Sequence, residues 1–389
     1  MENNRKKRIL YLMPDNPLGT KAGNLTRTNY LLDYFERNKE SFDVDFVSYL
    51  YWDEESKMNF SKRFPTINLK IVLTKMPKDN LVKYFFKSKI PKLLERFRKK
   101  AKIDEVTPYL KTELDTLQKE RKYDIALISY SKEGRVIEHW SNTYCILDTH
   151  DFLTLQKISS ITEERKYFGQ AFQEEIDILN LYDEVWTYSS EEHYIFDQFT
   201  NANVKLVPVS SPIIKNNENS TVKYPILYVA SDNHHNIKSM NWFIEQVLPL
   251  LGGTEVFVIG KICSKIQNAN HLIKLGVVDD LDEFYQHSKV IICPMLSGTG
   301  IKIKVLEALS YGLPVVTTRR GVDGLVNKSQ NGCLISNDPL DFAQNIKKLL
   351  EDPIFYQEYS LEAKVYFEKH HHPNLELEFL DNTFHPNIK

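Results

Sequence analysis

At 389 residues, with 42% hydrophobic and 26% charged side chains, the chain has the composition of a globular protein. Single hydrophobic cores stop growing near ~250–300 residues, so two domains are expected. The net charge of −2 excludes a whole-chain electrostatic case for nucleic acid, and any basic partner site must be local.

The chain opens on MENNRKKRILYLMPDNP, whose apolar run of about five residues ends at Pro14. A secretory signal needs ~7–15 apolar residues and a membrane span ~20, so a cytoplasmic location is expected. Short, continuous β-rich runs follow at 8–13, 44–50, 69–74, 124–130, 144–149, 184–189 and 204–209, with helical periods between them, as at 24–38 and 160–180. Continuous rather than alternating runs predict parallel strands covered on both faces. The loop PDNPLGTKAGNLTRT carries Gly19 and Gly23, which suit either a turn or a close backbone approach to a ligand. Asn24 or Thr26 is a candidate cap for the next helix.

Asp43-Val-Asp45 and Asp280-Leu-Asp282 resemble metal-binding D-x-D pairs. The first lies at a strand and the second at a helix start, where acids are favoured anyway, so both are read as structural. Residues 75–102 carry eleven Lys/Arg against two acids, interleaved with Tyr84, Phe85, Phe86 and Phe97. Such a basic amphipathic helix suits an anionic membrane surface or, alternatively, packing on its own domain. DTHD places Asp148, His150 and Asp151 at the end of a central strand.

The polar stretch PVSSPIIKNNENSTVKYP (208–225) reads as a linker. Alternation then restarts with strands at 226–231, 255–260, 273–278, 290–295, 314–318 and 332–336. Two doubly wound α/β domains are predicted, facing across a cleft lined by loops 14–24, 149–156, 231–238, 260–265 and 295–304. The expected division is 1–208, a linker 209–224, 225–352, and a C-terminal helix and tail 353–389 packing back across the domains. His370–His372 is read as surface, and His234 and His235 border the cleft. The cysteines (Cys145, Cys263, Cys293, Cys333) lack C-x-x-C spacing, and three sit in apolar runs. Buried free thiols fit better than disulfides or a zinc site.

In PMLSGTGIKIKVLEALSYGLP the strand is expected to end at Met295, with a turn at Gly298, Thr299 and Gly300 and a helix over about 302–311. Gly312 and Pro314 stop it. A glycine turn feeding a helix N-terminus, with Lys302 and Lys304 alongside, is equipped for a diphosphate. Glu307 either pairs with Lys304 at i,i+3 or accepts hydrogen bonds from a ribose diol.

The segment G-T-G-I-K-I-K-V-L-E-A-L resembles the nucleotide-sugar motif of the retaining GT-B glycosyltransferases of family 4. HHNIKSMNWFIEQVLPLL (234–251), CILDTHDFLTLQ (145–156) and GVDGL (321–325) resemble other parts of that family. The resemblance implies transfer of a sugar from a UDP- or GDP-sugar to a glycan or glycoconjugate, lipid-linked or protein-linked, with retention and without metal. It assigns Glu307 to the ribose, and Lys302, Lys304 and Lys238 to the phosphates. The backbones of Gly19, Gly23, Gly298, Thr299 and Gly300 fall near the donor, and His150 at the reaction centre with Asp151 beside it. Many members carry a glutamate where Thr299 stands, and an arginine near Asp232 and Asn233. Both are absent here, and Lys302 or Lys304 is expected to supply the missing charge. The resemblance implies no cofactor beyond the nucleotide-sugar substrate. Two rivals remain: a catalytically silent homologue acting as a binding partner, and an epimerase of the same fold, which the absence of an acid at Thr299 disfavours.

Overall fold

The computed structural model describes residues 5–19, 23–75, 103–160, 167–211 and 221–385. The basic segment beyond Lys75, most of the predicted linker, and part of the helical stretch 160–180 lie outside the described residues. The chain forms two compact units, Met1–Thr187 with His193–Lys205, and Tyr188–Glu192 with Leu206–Lys389.

The first unit holds a seven-stranded sheet: β1 (Lys7–Leu12), β2 (Phe42–Ser48), β3 (Asn68–Ile71), β4 (Ile125–Ser129), β5 (Tyr144–Asp148), β6 (Glu184–Thr187) and β7 (Asn203–Leu206). Its order is β3-β2-β1-β4-β5-β6-β7. β1 runs parallel to β2 on one side and β4 on the other, in register Ile9↔Val44 and Ile9↔Ile125. The winding therefore reverses between β1 and β4. At such a switch point the following loops part and open a crevice beyond the strand ends.

Central strands behave as their sequences demand. Ile9 to Leu12 and Ala126 to Ile128 are fully buried. Leu10, Leu12, Ile128 and Leu147 pack on one face with Phe196, while on the other Phe60 stacks on Phe46 and Tyr11 meets Phe46 edge to face. The expectation of full burial fails at 69–74. There β3 is only four residues long and largely exposed, because it is the sheet edge and pairs with β2 alone.

The second unit has six parallel strands: β8 (Tyr224–Val229), β9 (Val256–Ile259), β10 (Leu272–Gly276), β11 (Ser288–Cys293), β12 (Val315–Thr317) and β13 (Cys333–Ile335). Their order is β10-β9-β8-β11-β12-β13, with the reversal between β8 and β11. β11 stops at Cys293 rather than Met295, since Pro294 has no N–H to donate to the ladder. The helix Ile303–Ser310 buries Val305, Leu306, Ala308 and Leu309, a 3–4 spacing that turns its apolar stripe to the sheet.

The tail forms two helices, Pro353–His370 and Pro373–Phe384, and the first packs on helices Ile303–Ser310 and Pro339–Glu351. The reading of His370–His372 as surface is corrected at His371, which is 3% exposed and bonded through Nδ1 to the Val209 carbonyl at 2.8 Å. The run spans the junction between these two helices, and the turn there seats the His371 ring against Val209. All four cysteines are free, and Cys145, Cys293 and Cys333 are buried. No helix among the described residues is long and apolar enough to cross a membrane.

Candidate functional site

In the second unit the loop after β11 turns at Gly298 (φ 100°) and Gly300 (φ 71°), both in the left-handed region. A side chain at either position would be strained there, which is why the turn needs glycine. Lys302 is 8% exposed, and its Nζ donates to the carbonyls of Thr299 (3.1 Å) and Gly300 (2.6 Å), bracing the turn from within. Burial pushes its ammonium below the usual lysine range, with Asp323 and Glu191 opposing. The helix then starts at Ile303 with no side chain capping it.

Lys304 and Glu307 do not pair with each other as the i,i+3 reading allowed. Lys304 Nζ donates to Asn236 Oδ1 at 2.8 Å and sits 4.7 Å over the Tyr228 ring. Glu307 Oε2 accepts from Tyr285 at 2.9 Å. Burial pushes the Glu307 carboxyl up, against the pull of Tyr285 and Lys304. Asn236 is presented by the helix His234–Trp242, whose N-terminus Asn233 caps by accepting from the Asn236 amide at 2.9 Å. Asn233 thus takes a structural part where the resemblance would have put a phosphate-binding arginine.

His235 Nδ1 lies 2.8 Å from Ser297 Oγ, joining that helix to the glycine turn. Burial, then the charges of His234, Lys302 and Lys238, depress its pKa. Lys238 itself is exposed on an open groove of about 650 Å³ with His234, Ile237, Trp242 and Leu296. Thr299, Gly298, Gly300, Lys302, Lys304, Glu307 and Lys238 therefore all gather around the ends of β8 and β11. The loop Gly321–Leu325 closes against the turn. A Cβ on Gly324 (φ 90°) would lie 2.6 Å from the Ile301 Cα.

That loop is tied down by Tyr188–Glu192. Glu191 Oε2 accepts from the Gly324 amide at 2.8 Å and Oε1 meets Lys328 at 2.6 Å, while Ser190 Oγ donates to the Leu325 carbonyl at 2.8 Å. Sequence reasoning passed over Glu191, because at a helix start an acid is ordinary.

In the first unit, Gly19 closes a turn on the Asn16 carbonyl after β1, and Gly23 opens the helix Gly23–Arg37. His150 follows β5 at φ 57°, an unusual conformation for a histidine, and its side chain is 4% exposed. Its Nε2 is 3.5 Å from Asp148 Oδ2, and its ring lies 4.6 Å from that of Tyr130. Burial holds the imidazole below its usual pKa although Asp148 pulls it up, so the ring is neutral near pH 7. Arg27 Nε approaches the same Asp148 oxygen at 3.7 Å, and Asn24 donates to Tyr130 at 2.5 Å. Asp151 sits at the start of the next helix, with its amide on the Thr149 carbonyl at 2.6 Å. Arg27 was missed in the sequence. Arg27 is the fifth residue of its helix, beyond the first turn, so its position alone carried no signal.

The D-x-D pairs bear structural bonds: Arg121 meets Asp43 and Asp45, Tyr123 donates to Asp45 at 2.5 Å, and Tyr311 donates to Asp282. Among the described residues, no group of three or more His, Cys, Asp or Glu is placed to hold a metal ion.

Residues 223–352 match the family model of glycosyl transferases group 1. The group 1 segment begins at β8 and takes in the glycine turn, Glu307 and the Gly321–Leu325 loop. A curated relative, an uncharacterised 44.6 kDa protein in the cps region of Klebsiella pneumoniae, is 26% identical over 128 residues, 29% of this chain and 33% of that protein. The match thus spans about a third of that relative's length.

Solved structures extend the likeness over the rest. Sucrose-phosphate synthase from Thermosynechococcus elongatus has a TM-score of 0.66 at 13% identity, over 98% of this chain and 99% of that one. HepE from Anabaena, solved with UDP-glucose, has a TM-score of 0.64 at 14% identity, over 97% and 99%. A TarM variant from S. aureus, solved with fondaparinux, α-GlcNAc-glycerol and UDP, has a TM-score of 0.65 at 13% identity, over 97% and 99%. The fold is GT-B.

Proposed function

We propose that this protein is a glycosyltransferase that moves a sugar from a UDP- or GDP-sugar to a glycan or glycoconjugate acceptor, with retention and without metal. The observation that carries the reading is the braced glycine turn feeding helix Ile303–Ser310, with Glu307 on that helix, inside the group 1 segment. The UDP and UDP-glucose complexes of TarM and HepE support a uridine donor.

In this reading the bond between the sugar C1 and the diphosphate oxygen breaks, and a bond from C1 to the acceptor oxygen forms on the same face. The acceptor proton passes to the departing phosphate oxygen. Charge grows on the diphosphate, where the helix N-terminus, the backbone of Gly298–Gly300, Lys302, Lys238 and the more deeply set Lys304 stabilise it. Glu307 holds the ribose. Neutral His150, kept in place by Asp148 and Tyr130, hydrogen-bonds the sugar, with Asp151 and the backbones of Gly19 and Gly23 alongside. A lipid-linked acceptor would account for the basic segment 75–102 as a membrane contact.

The test is a thermal-shift panel with UDP, GDP, ADP, CMP and dTDP without metal, followed by turnover of the sugar nucleotide of the responding base. Ligand at ~100 times its dissociation constant stabilises by about 2.7 kcal/mol. A selective shift abolished by Glu307→Ala, with turnover, is expected. A chain indifferent to every nucleotide would instead be a silent binding homologue.

A further inference from the structure

Glu307 does not stand alone in the donor half. Its Oε2 accepts from Tyr285, which is 1% exposed on the short helix Asp282–Gln286. The Tyr285 ring stacks on Tyr311 with centroids 4.9 Å apart and planes 20° apart, and Tyr311 donates in turn to Asp282. The relay therefore starts and ends on two helices, Asp282–Gln286 and Ile303–Ser310, and its two hydroxyls fix both rings. Lys304, the natural i,i+3 partner, is occupied by Asn236.

A carboxylate on a helix has free rotation about three side-chain bonds unless something holds it. Here the sole side-chain hydrogen bond to Glu307 among the described residues comes from Tyr285, and it is made to one oxygen only. A carboxylate offers about four lone-pair sites, so Oε1 remains for a diol. Tyr285 cannot itself be the ribose contact, since its hydroxyl proton is committed and its ring is enclosed.

Resting on the donor reading above, we propose that Tyr285 is a positioning residue that fixes Glu307 for a ribose 2′,3′-diol and so sets selectivity for ribonucleotides over 2′-deoxyribonucleotides. With the hydroxyl in place, Glu307 meets the diol without reordering. Without it, the carboxylate turns to water, and the 2′-hydroxyl loses its advantage while the phosphate contacts persist. A hydrogen bond to a charged group makes about a 10- to 100-fold difference in affinity.

The experiment is calorimetric titration of the full chain with UDP and 2′-deoxy-UDP, and with GDP and 2′-deoxy-GDP, for wild type, Tyr285→Phe, Glu307→Gln and the double variant. Tyr285→Phe keeps the ring and its stack. Wild type is expected to favour the ribonucleotide about tenfold or more, and Tyr285→Phe to bring that ratio within about threefold while leaving affinity for the deoxy form nearly unchanged. In the double variant the buried charge is gone, so it folds even where the single variant does not. Its ratio should equal that of Glu307→Gln, because Tyr285 acts only through the carboxylate.

A Tyr285→Phe protein that keeps the wild-type ratio overturns the role of Tyr285 and leaves the donor reading intact. So does a double variant whose ratio falls below that of Glu307→Gln. A wild type that binds nucleotides without preferring the ribo form overturns the diol contact. A wild type that binds none overturns the donor reading and this inference with it.

Discussion

Lys304→Met separates what this lysine does for the fold from what it does for a ligand. Methionine keeps the length of the side chain and removes the charge. The change deletes a hydrogen bond from a charged donor to Asn236 at 2.8 Å, which contributes about 1.5–3 kcal/mol. It also deletes a cation–π contact with Tyr228 at 4.7 Å, about 2 kcal/mol when desolvated. Asn236 Oδ1 keeps Tyr228 as a donor at 3.4 Å, so its own loss lies at the low end, about 1 kcal/mol. Against these stands the desolvation of an ammonium, which costs several kcal/mol and is fully recovered in the variant. The net effect on folding is a loss of about 1 kcal/mol, or a fall of roughly 2–4 °C in melting temperature for a unit of this size.

A bound diphosphate would feel the change far more. A unit charge ~6 Å away at an effective dielectric of about 20 contributes near 3 kcal/mol, enough for a 10- to 100-fold loss of nucleotide affinity. Differential scanning fluorimetry and calorimetric titration read the two quantities separately. A variant that melts more than about 5 °C lower yet binds nucleotide normally would refute the reasoning and make Lys304 a core residue only.

Two other outcomes follow from geometry and charge. Gly324→Ala puts a Cβ at φ 90° and 2.6 Å from the Ile301 Cα, so thermal melting should fall by about 5 °C or more and nucleotide binding should weaken with it. An unchanged melt would show that the loop yields freely. His371, buried against Val209, has its pKa pushed down to about 4 by burial. Because the folded value lies below the unfolded ~6.5, its contribution is whole above pH ~6.5 and is lost as pH falls toward ~4, about 3 kcal/mol in all. Urea midpoints at pH 7 and pH 5 should therefore differ more in wild type than in His371→Gln, and equal differences would count against that assignment.

The thirteen strands among the described residues were legible because central parallel strands must be apolar on both faces, and continuous runs such as RILYLM and VIICPM announce this. Edge strands obey a weaker rule, which is why 69–74 read as buried and proved exposed. The glycine turn was legible too, since Gly298 and Gly300 occupy backbone conformations that other residues avoid. Side-chain partners were not. Spacing placed Lys304 and Glu307 on neighbouring turns, yet spacing carries no information on Asn236 or Tyr285, which arrive from elements 68 and 22 residues away. The Asp148–His150 pairing lay within one motif and was visible, whereas Arg27 came from a different strand-to-helix crossing. Helix-end histidines misled in the same way: sequence shows that three are adjacent, and only packing decides that the middle one turns inward.

The short stretch Tyr188–Glu192 has a consequence for how this chain can be divided. By sequence it belongs with the first half, but Ser190 and Glu191 satisfy the amide of Gly324, the carbonyl of Leu325 and the ammonium of Lys328. A fragment beginning at Leu206 would leave the Gly324 amide to water, take partners from Leu325 and Lys328, which keep their mutual bond and the Val322 carbonyl, and loosen the loop that closes on Ile301. The second unit is therefore not a cassette that can be cut out or grafted at the obvious border. Any swap between related chains must carry these five residues with the half they serve, or supply another acid that reaches Gly324.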